Sequence, residues 1–145
     1  MVLGSHGDLM VPIVGSITVK GEPVTKRLPA SELAALLQRT KDGGAEIVSL
    51  LKHSSAFYAP ASGVVEMAGA ILQHRHTVLP VCASLDGEYG LRDVCIGVPA
   101  QLGSGGIERI VELPLSPEER SALVAAASQV RSGIHALAAR QGSPG

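Results

Sequence analysis

Apolar residues recur at two different periods along this 145-residue chain, and the changes of period divide it into segments. Residues 8–19 are rich in Val and Ile and stop at Lys20-Gly21-Glu22-Pro23, a turn signal, so they predict a strand or a broken pair of strands. A polar connector over residues 25–30 leads into a different rhythm. From Ser31 onward, Leu33, Leu36, Leu37, Thr40, Ile47, Val48 and Leu51 fall on one face of a 3.6-residue repeat, which predicts a helix. Gly43-Gly44 interrupts that stripe. Each glycine costs about 1 kcal/mol against alanine inside a helix, so the pair marks either a kink or the close approach of another helix, for instance from a second subunit. Ser54 and Ser55 punctuate the pattern, and Val64, Val65, Met67, Ala68, Ile71 and Leu72 predict a second helix.

β-branched runs over 77–85 and 94–102 then predict two strands separated by the turn-prone stretch 86–93. A third strand, 107–113, follows Gly103-Ser104-Gly105-Gly106. The last helix has the clearest start. Ser116 suits the N-cap, Pro117 the first helical position, and Glu119 completes a Ser-x-x-Glu capping box. Its predicted buried stripe is Leu123, Ala127, Val130, Ile134 and Leu137. Residues 141–145 are expected to form a flexible tail. Strands, two helices, three antiparallel strands and one helix segregate in the manner of an α+β fold. The expectation is one domain over residues 1–140, an antiparallel sheet with two central helices and a C-terminal helix packed on it.

Hydrophobic residues make up 46% of the chain and aromatics only 2%, so the core must be built from Ala, Val, Leu and Ile. A formal net charge of −1, with no Lys/Arg block, leaves no electrostatic footprint for nucleic acid. No apolar run approaches the roughly 18–20 residues of a spanning helix, so no membrane partner is expected. Met1-Val2-Leu3-Gly4 lacks the basic-then-apolar order of a signal peptide. Cys82 and Cys95, the only cysteines, fall in predicted strands and read as reduced core thiols rather than a disulfide. Together these features favour the cytoplasm.

The candidate chemistry is concentrated at His6, in Gly4-Ser5-His6-Gly7-Asp8 followed by Met10-Val11-Pro12. Further blocks follow in order: Arg39-Thr40-Lys41-Asp42-Gly43-Gly44-Ala45-Glu46-Ile47-Val48, Ser55-Ala56-Phe57-Tyr58-Ala59-Pro60-Ala61, then Leu85-Asp86-Gly87-Glu88-Tyr89-Gly90, Gly97-Val98-Pro99 and Gly106-Ile107-Glu108-Arg109-Ile110. With them the chain resembles the C-terminal, catalytic-histidine domain of the lactate/malate dehydrogenase family, most closely the lactate-dehydrogenase-like NAD-dependent malate dehydrogenases. The likeness runs from Val2 to about Leu137.

That resemblance implies that His6 takes the hydroxyl proton of a 2-hydroxy acid as hydride leaves the same carbon. An imidazole, with an unperturbed pKa of about 6.5, is the side chain suited to exchanging that proton near neutral pH. Ser55 matches a position lining the substrate pocket, although a serine at a helix terminus needs no such role. Met10 matches a residue packing near the nicotinamide. The histidine's orienting aspartate lies on an earlier segment in the family, so Asp8 is read as a loop-fixing acceptor. NAD is the implied cofactor of the intact enzyme, but no Gly-x-Gly-x-x-Gly opens a helix in this chain. No Rossmann domain and no NAD binding by this chain alone are therefore expected. An NAD-binding partner domain and a homo-oligomer are expected instead.

Bidentate arginines are the natural clamps for carboxylates, yet Arg39, Arg92 and Arg109 do not stand at family positions for that role. The implied reaction is interconversion of malate and oxaloacetate, with the chain alone inactive. The blocks at 56–60 and 86–90 favour malate over lactate as family markers, because the residues that choose the substrate belong to the other half. The alternative is a non-catalytic oligomerisation or binding module derived from the same family. No metal site is expected: His74 and His76 flank Arg75 at a helix end and point apart, with no carboxylate or cysteine at ligand spacing. Ser5, His6 and Asp8 are too close in sequence for a hydrolytic triad.

Overall fold

The computed structural model describes the backbone of residues 1–7 and 9–141, and side chains as far as Leu137. Seven strands and three helices follow in order: β1 (Val2–Gly4), β2 (Met10–Pro12), β3 (Thr18–Val19), β4 (Glu22–Pro23), α1 (Ala30–Leu51), α2 (Tyr58–Leu72), β5 (Thr77–Asp86), β6 (Arg92–Gly103), β7 (Gly106–Ile110) and α3 (Pro117–Gln141). Of the expected tail, Gln141 closes α3 and residues 142–145 lie outside the described residues, as does Asp8 with its predicted role.

The strands pair antiparallel throughout, and the fold is the α+β arrangement expected. β6 is the spine of a five-stranded sheet ordered β2-β1-β6-β5, with β7 also on β6. β5 pairs along one edge of β6 from Thr77↔Leu102 to Asp86↔Arg92. β1 and β7 share the other edge, β1 at Gly97 and β7 from Ala100 to Gly103. Pro80 and Pro99 face each other across β5 and β6. Neither has an N–H, so the two prolines fit a pair that exchanges no hydrogen bonds.

Alternation along the strands sends one set of side chains inward. Leu3, Val11, Ala83, Leu85, Val94, Ile96 and Val98 meet Leu123, Ala126 and Ala127 of α3. This is the aliphatic core that the composition requires. α3 begins as the sequence predicts: the Glu119 N–H donates to Ser116 Oγ at 3.2 Å, and the Ser116 N–H donates to Glu119 Oε2 at 2.9 Å. Only the first part of its predicted stripe is covered. Leu123 and Ala127 are buried and Val130 packs at the margin, whereas Ile134 and Leu137 are exposed.

Several other expectations need correction. The segment 8–19 is not one strand but the broken pair of strands that its pattern also allowed. It contains β2, a 3₁₀ turn at Val14–Ser16 and β3, while the unpredicted β1 is held by its partners β2 and β6. The third strand ends at Ile110 rather than 113. α1 runs unbroken through Gly43 and Gly44, and a Cβ on either would meet nothing within 4 Å, so neither a kink nor a close helix accounts for them within this chain. Leu33 is the one buried residue of α1, and Leu36, Ile47, Val48 and Leu51 are exposed. On α2, Val64, Val65 and Leu72 are exposed as well. Cys82 and Cys95 are free thiols, but both lie on the outward face of the sheet rather than in the core.

Candidate active site

β1 and β2 form a hairpin in register Leu3↔Val11 and Gly4↔Met10, and the loop that joins them carries His6. The buried pair Leu3 and Val11 anchors this hairpin to the core. Two glycines shape its tip. Gly4 has φ +93°, and a Cβ there would lie 2.7 Å from the Leu9 carbonyl oxygen; Gly7 has φ +99°. Both backbone conformations are ones that L side chains rarely adopt. The Met10 N–H donates to the Gly7 carbonyl at 3.0 Å and closes the turn. The imidazole of His6 is consequently presented outward, exposed, on a fixed hairpin.

Three adjoining clefts share His6. One, of about 410 Å³, runs from His6 and Met10 to α1 and to the segment before α2, where Lys41, Val48 and Ser55 complete its wall. A second, of about 470 Å³, reaches along the outward sheet face to Cys82, Cys95 and Gly97. A third lies against Gln129 and Val130 of α3. The first cleft brings together His6, Ser55 and Met10, the three residues singled out from the sequence. Ser55 is exposed in the short link between α1 and α2, so its hydroxyl is available at the cleft rather than committed to the core.

Lys41, Asp42, Gly44, Ala45 and Val48 line the same cleft and were not foreseen as site residues. The helical period did place residues 41, 44, 45 and 48 along one side of α1, but nothing local in the sequence says which side meets the His6 loop. Gly44 has an evident consequence here: at a lining position it leaves the cleft open where any side chain would narrow it. The cleft therefore combines an exposed imidazole, a hydroxyl, an ammonium beside the Asp42 carboxylate and a partly apolar wall. That set can bind a small polar anion and exchange a proton with it.

The three arginines set aside on sequence grounds are engaged elsewhere. Arg39 pairs with Glu46 at 2.9 Å, Arg92 with Asp86, and the Nε of Arg109 donates to Gln101 Oε1 at 2.9 Å. The Gly103–Gly106 stretch is a tight turn between β6 and β7, not a phosphate loop. One expectation about ligands is overturned. His74 and His76 follow the end of α2 and do not point apart: their ring centroids are 4.1 Å apart, edge to face. Glu108, on β7, reaches them with Oε2 2.7 Å from His76 Nδ1. The hydrogen bond from that ring holds the Glu108 carboxyl below the usual carboxylate range.

Comparison with known proteins identifies the family and the fold. The sequence profile of the lactate/malate dehydrogenase α/β C-terminal domain matches residues 1–141. A malate dehydrogenase of Desulforudis audaxviator is 51% identical over 137 residues, covering 94% of this chain and 44% of the relative. One of Nostoc punctiforme is 54% identical over 134 residues, 92% of this chain and 41% of the relative. Among solved structures, malate dehydrogenase from Salinibacter ruber superposes with a TM-score of 0.93 at 40% identity, over 97% of this chain and 46% of that one. Lactate dehydrogenase from Eimeria maxima, solved with NADH and oxamate, superposes with a TM-score of 0.92 at 33% identity, over 97% of this chain and 46% of that one. The chain thus spans less than half the length of the relatives it matches.

Proposed function

The chain belongs to the lactate/malate dehydrogenase family as its α/β C-terminal domain, and from that premise we propose that it is the proton-transfer and subunit-contact half of an NAD-dependent malate dehydrogenase, with His6 as the catalytic residue. The observation that carries this reading is the cleft in which the exposed His6 meets Ser55 and Met10. The relatives' names favour malate over lactate as substrate.

In the proposed reaction a 2-hydroxy dicarboxylic acid lies in the cleft with its hydroxyl toward His6. As the C–H bond gives up hydride, the imidazole accepts the hydroxyl proton and the carbonyl of the 2-oxo acid forms. In the reverse direction the imidazolium returns the proton. NAD, when bound, is the acceptor of that hydride. Ser55 orients the substrate by hydrogen bonding, and Lys41 offers the dianion a positive charge that Asp42, on the same wall, partly offsets.

The residues here fit only one end of that cofactor. Met10 and Val48 offer an apolar wall suited to a nicotinamide. The pyrophosphate end has no such support among the described residues: α1 and α2 start from Pro29 and Phe57, and α3 from a Ser116 that caps it, none with the glycine-rich loop that would aim backbone N–H groups at phosphate. We therefore infer that residues 1–140 work as one domain beside an NAD-binding half. The exposed apolar residues of α1 and α2 support a second role for them as contact surface for that half and for another subunit.

The test is complementation. The chain is joined to the NAD-binding half of a malate dehydrogenase relative and assayed for malate-dependent NAD reduction. The joined protein should turn over, the 145-residue chain alone should not, and His6→Asn should lower kcat by about 10²–10⁴-fold while leaving the melting temperature unchanged. If His6→Asn turns over as fast as the parent, the assignment of His6 as the catalytic residue fails; if the joined protein does not turn over at all, the oligomerisation-module reading replaces the enzyme reading.

A further inference from the structure

Outside the His6 clefts, the described residues bring one other set of metal-ligating side chains together. His74, His76 and Glu108 offer ligand atoms that all lie within 4.8 Å of one another. The cluster stands where β5 begins, at Thr77↔Leu102, whereas β1 joins the sheet at Gly97. Five residues of strand separate those points, roughly 17 Å at about 3.4 Å per residue.

The arrangement is built by several elements. His74 and His76 both take the left-handed backbone conformation, at φ 50° and 51°, and this turns their two rings to the same side of Arg75. Gln101 Nε2 donates to Glu108 Oε2 at 3.0 Å and steadies the carboxylate. Gly103 leaves it room, because a Cβ there would collide with the Glu108 carboxylate. The Ser104 N–H donates to His74 Nδ1 at 2.9 Å, so that nitrogen carries a lone pair, not a proton. Ser104 is exposed, and its N–H can pass to water when the lone pair is taken.

We propose that His74, His76 and Glu108 bind a zinc-class divalent cation, with water filling the remaining coordination. Two imidazoles and one carboxylate suit Zn²⁺, Co²⁺ or Cu²⁺ rather than Ca²⁺ or Mg²⁺, which favour all-oxygen shells. Tetrahedral ligands 2.0–2.1 Å from zinc sit roughly 3.4 Å apart, so the observed spacing closes by small side-chain rotations. The cation takes the place of the proton shared by His76 and Glu108, and His74 contributes the Nδ1 lone pair that otherwise accepts from the Ser104 N–H. Bound there, it ties the end of α2 to the β6–β7 hairpin.

The test uses the full 145-residue chain and the metal ions alone. Co²⁺ should give a visible absorption band that one equivalent of Zn²⁺ displaces, and Zn²⁺ should raise the melting temperature. His76→Ala and Glu108→Gln should each weaken binding about tenfold or more, and Gly103→Ala should weaken it by displacing the carboxylate. Melting temperatures without metal identify any variant that is merely unfolded. The proposal is overturned if the double variant His74→Ala/His76→Ala binds Zn²⁺ as tightly as the parent, since His6, His53 and His135 would then account for the metal, or if the parent gives no Co²⁺ band.

Discussion

Gly97 of β6 sits opposite Gly4 of β1 so closely that a Cβ on Gly97 would lie 2.7 Å from the Gly4 carbonyl oxygen. This is the one register contact that joins the β1–β2 hairpin to the sheet, and His6 lies two residues beyond it. Gly97→Ala must push backbone against backbone, at a cost of about 1–3 kcal/mol. The expected result is a lower melting temperature together with a fall in kcat of the complemented enzyme, because the hairpin that presents His6 moves. Gly15→Ala, where a Cβ meets nothing within 4 Å, should change stability by less than about 0.5 kcal/mol. Equal melting temperatures for the two variants would show that the Gly4–Gly97 contact does not constrain β1.

Tyr89 closes the turn between β5 and β6 with φ 54° and its ring buried. Its O–H donates to the Val111 carbonyl at 3.1 Å and accepts from the Leu113 N–H at 3.0 Å. Burial pushes the phenol up from its usual value near 10. A folded-state value above the unfolded one contributes stability that is present below pH 10, roughly, and lost as pH rises through the folded value. The chain should therefore lose stability on the alkaline side. Tyr89→Phe should remove that loss and should lower stability at neutral pH by about 1–3 kcal/mol by orphaning the Leu113 N–H. Urea unfolding at neutral and alkaline pH measures both effects, and an unchanged alkaline slope in the variant would assign the loss to other groups.

Capping explains why the start of α3 was legible from Ser116, Pro117 and Glu119: a capping box acts within four residues, so its signal is wholly local. β5 and β6 were legible for a related reason, since long β-branched runs carry their own period. β1 was not. Val2, Leu3 and Gly4 make a strand only because residues 10–12 and Gly97 pair with them. Periodicity identified an apolar face on α1 and α2 but could not say what covers it, and among the described residues nothing covers most of it. The site divides in the same way. His6 was legible as a motif, whereas Lys41 and Gly44 join it only once α1 is placed in space. Glu108 was invisible as a partner of His76 because 32 residues separate them.

Glu119 does more than cap. Its Oε2 accepts from the Ser116 N–H, while its Oε1 accepts from the Val14 N–H at 2.9 Å, tying α3 to the turn after β2. Ser116→Ala should cost about 1 kcal/mol, the usual loss of an N-cap. Glu119→Ala should cost more, because two partly buried N–H groups lose their acceptor at about 1–3 kcal/mol each. Glu119→Gln should fall between them. Chemical denaturation ranks the three, and a Glu119→Ala cost no larger than that of Ser116→Ala would remove the long-range tie.

Leu50, Val65 and Leu72 are each more than two-thirds exposed on α1 and α2, at 73%, 71% and 85%. Exposed apolar side chains in this number on two helices favour association. Light scattering of the chain at roughly tens of micromolar should show a dimer or larger species, and Val65→Glu combined with Leu72→Glu should shift it toward monomer. A monomeric parent at that concentration would mean that these faces do not self-associate.

Gly43 and Gly44 separate stability from function within one helix turn. Both lie inside α1 and both have open space where a Cβ would go, so alanine at either position should raise the stability of the chain by about 1 kcal/mol. Only Gly44 lines the cleft shared by His6 and Ser55. Gly44→Ala should therefore raise KM for malate in the complemented enzyme, with kcat less affected, whereas Gly43→Ala should leave KM unchanged. A matching rise in KM for both variants would trace the effect to α1 as a whole and not to the cleft wall. The difference between the two arises because a methyl at position 44 occupies volume that the substrate needs, while one at position 43 only shortens the list of conformations open to the unfolded chain.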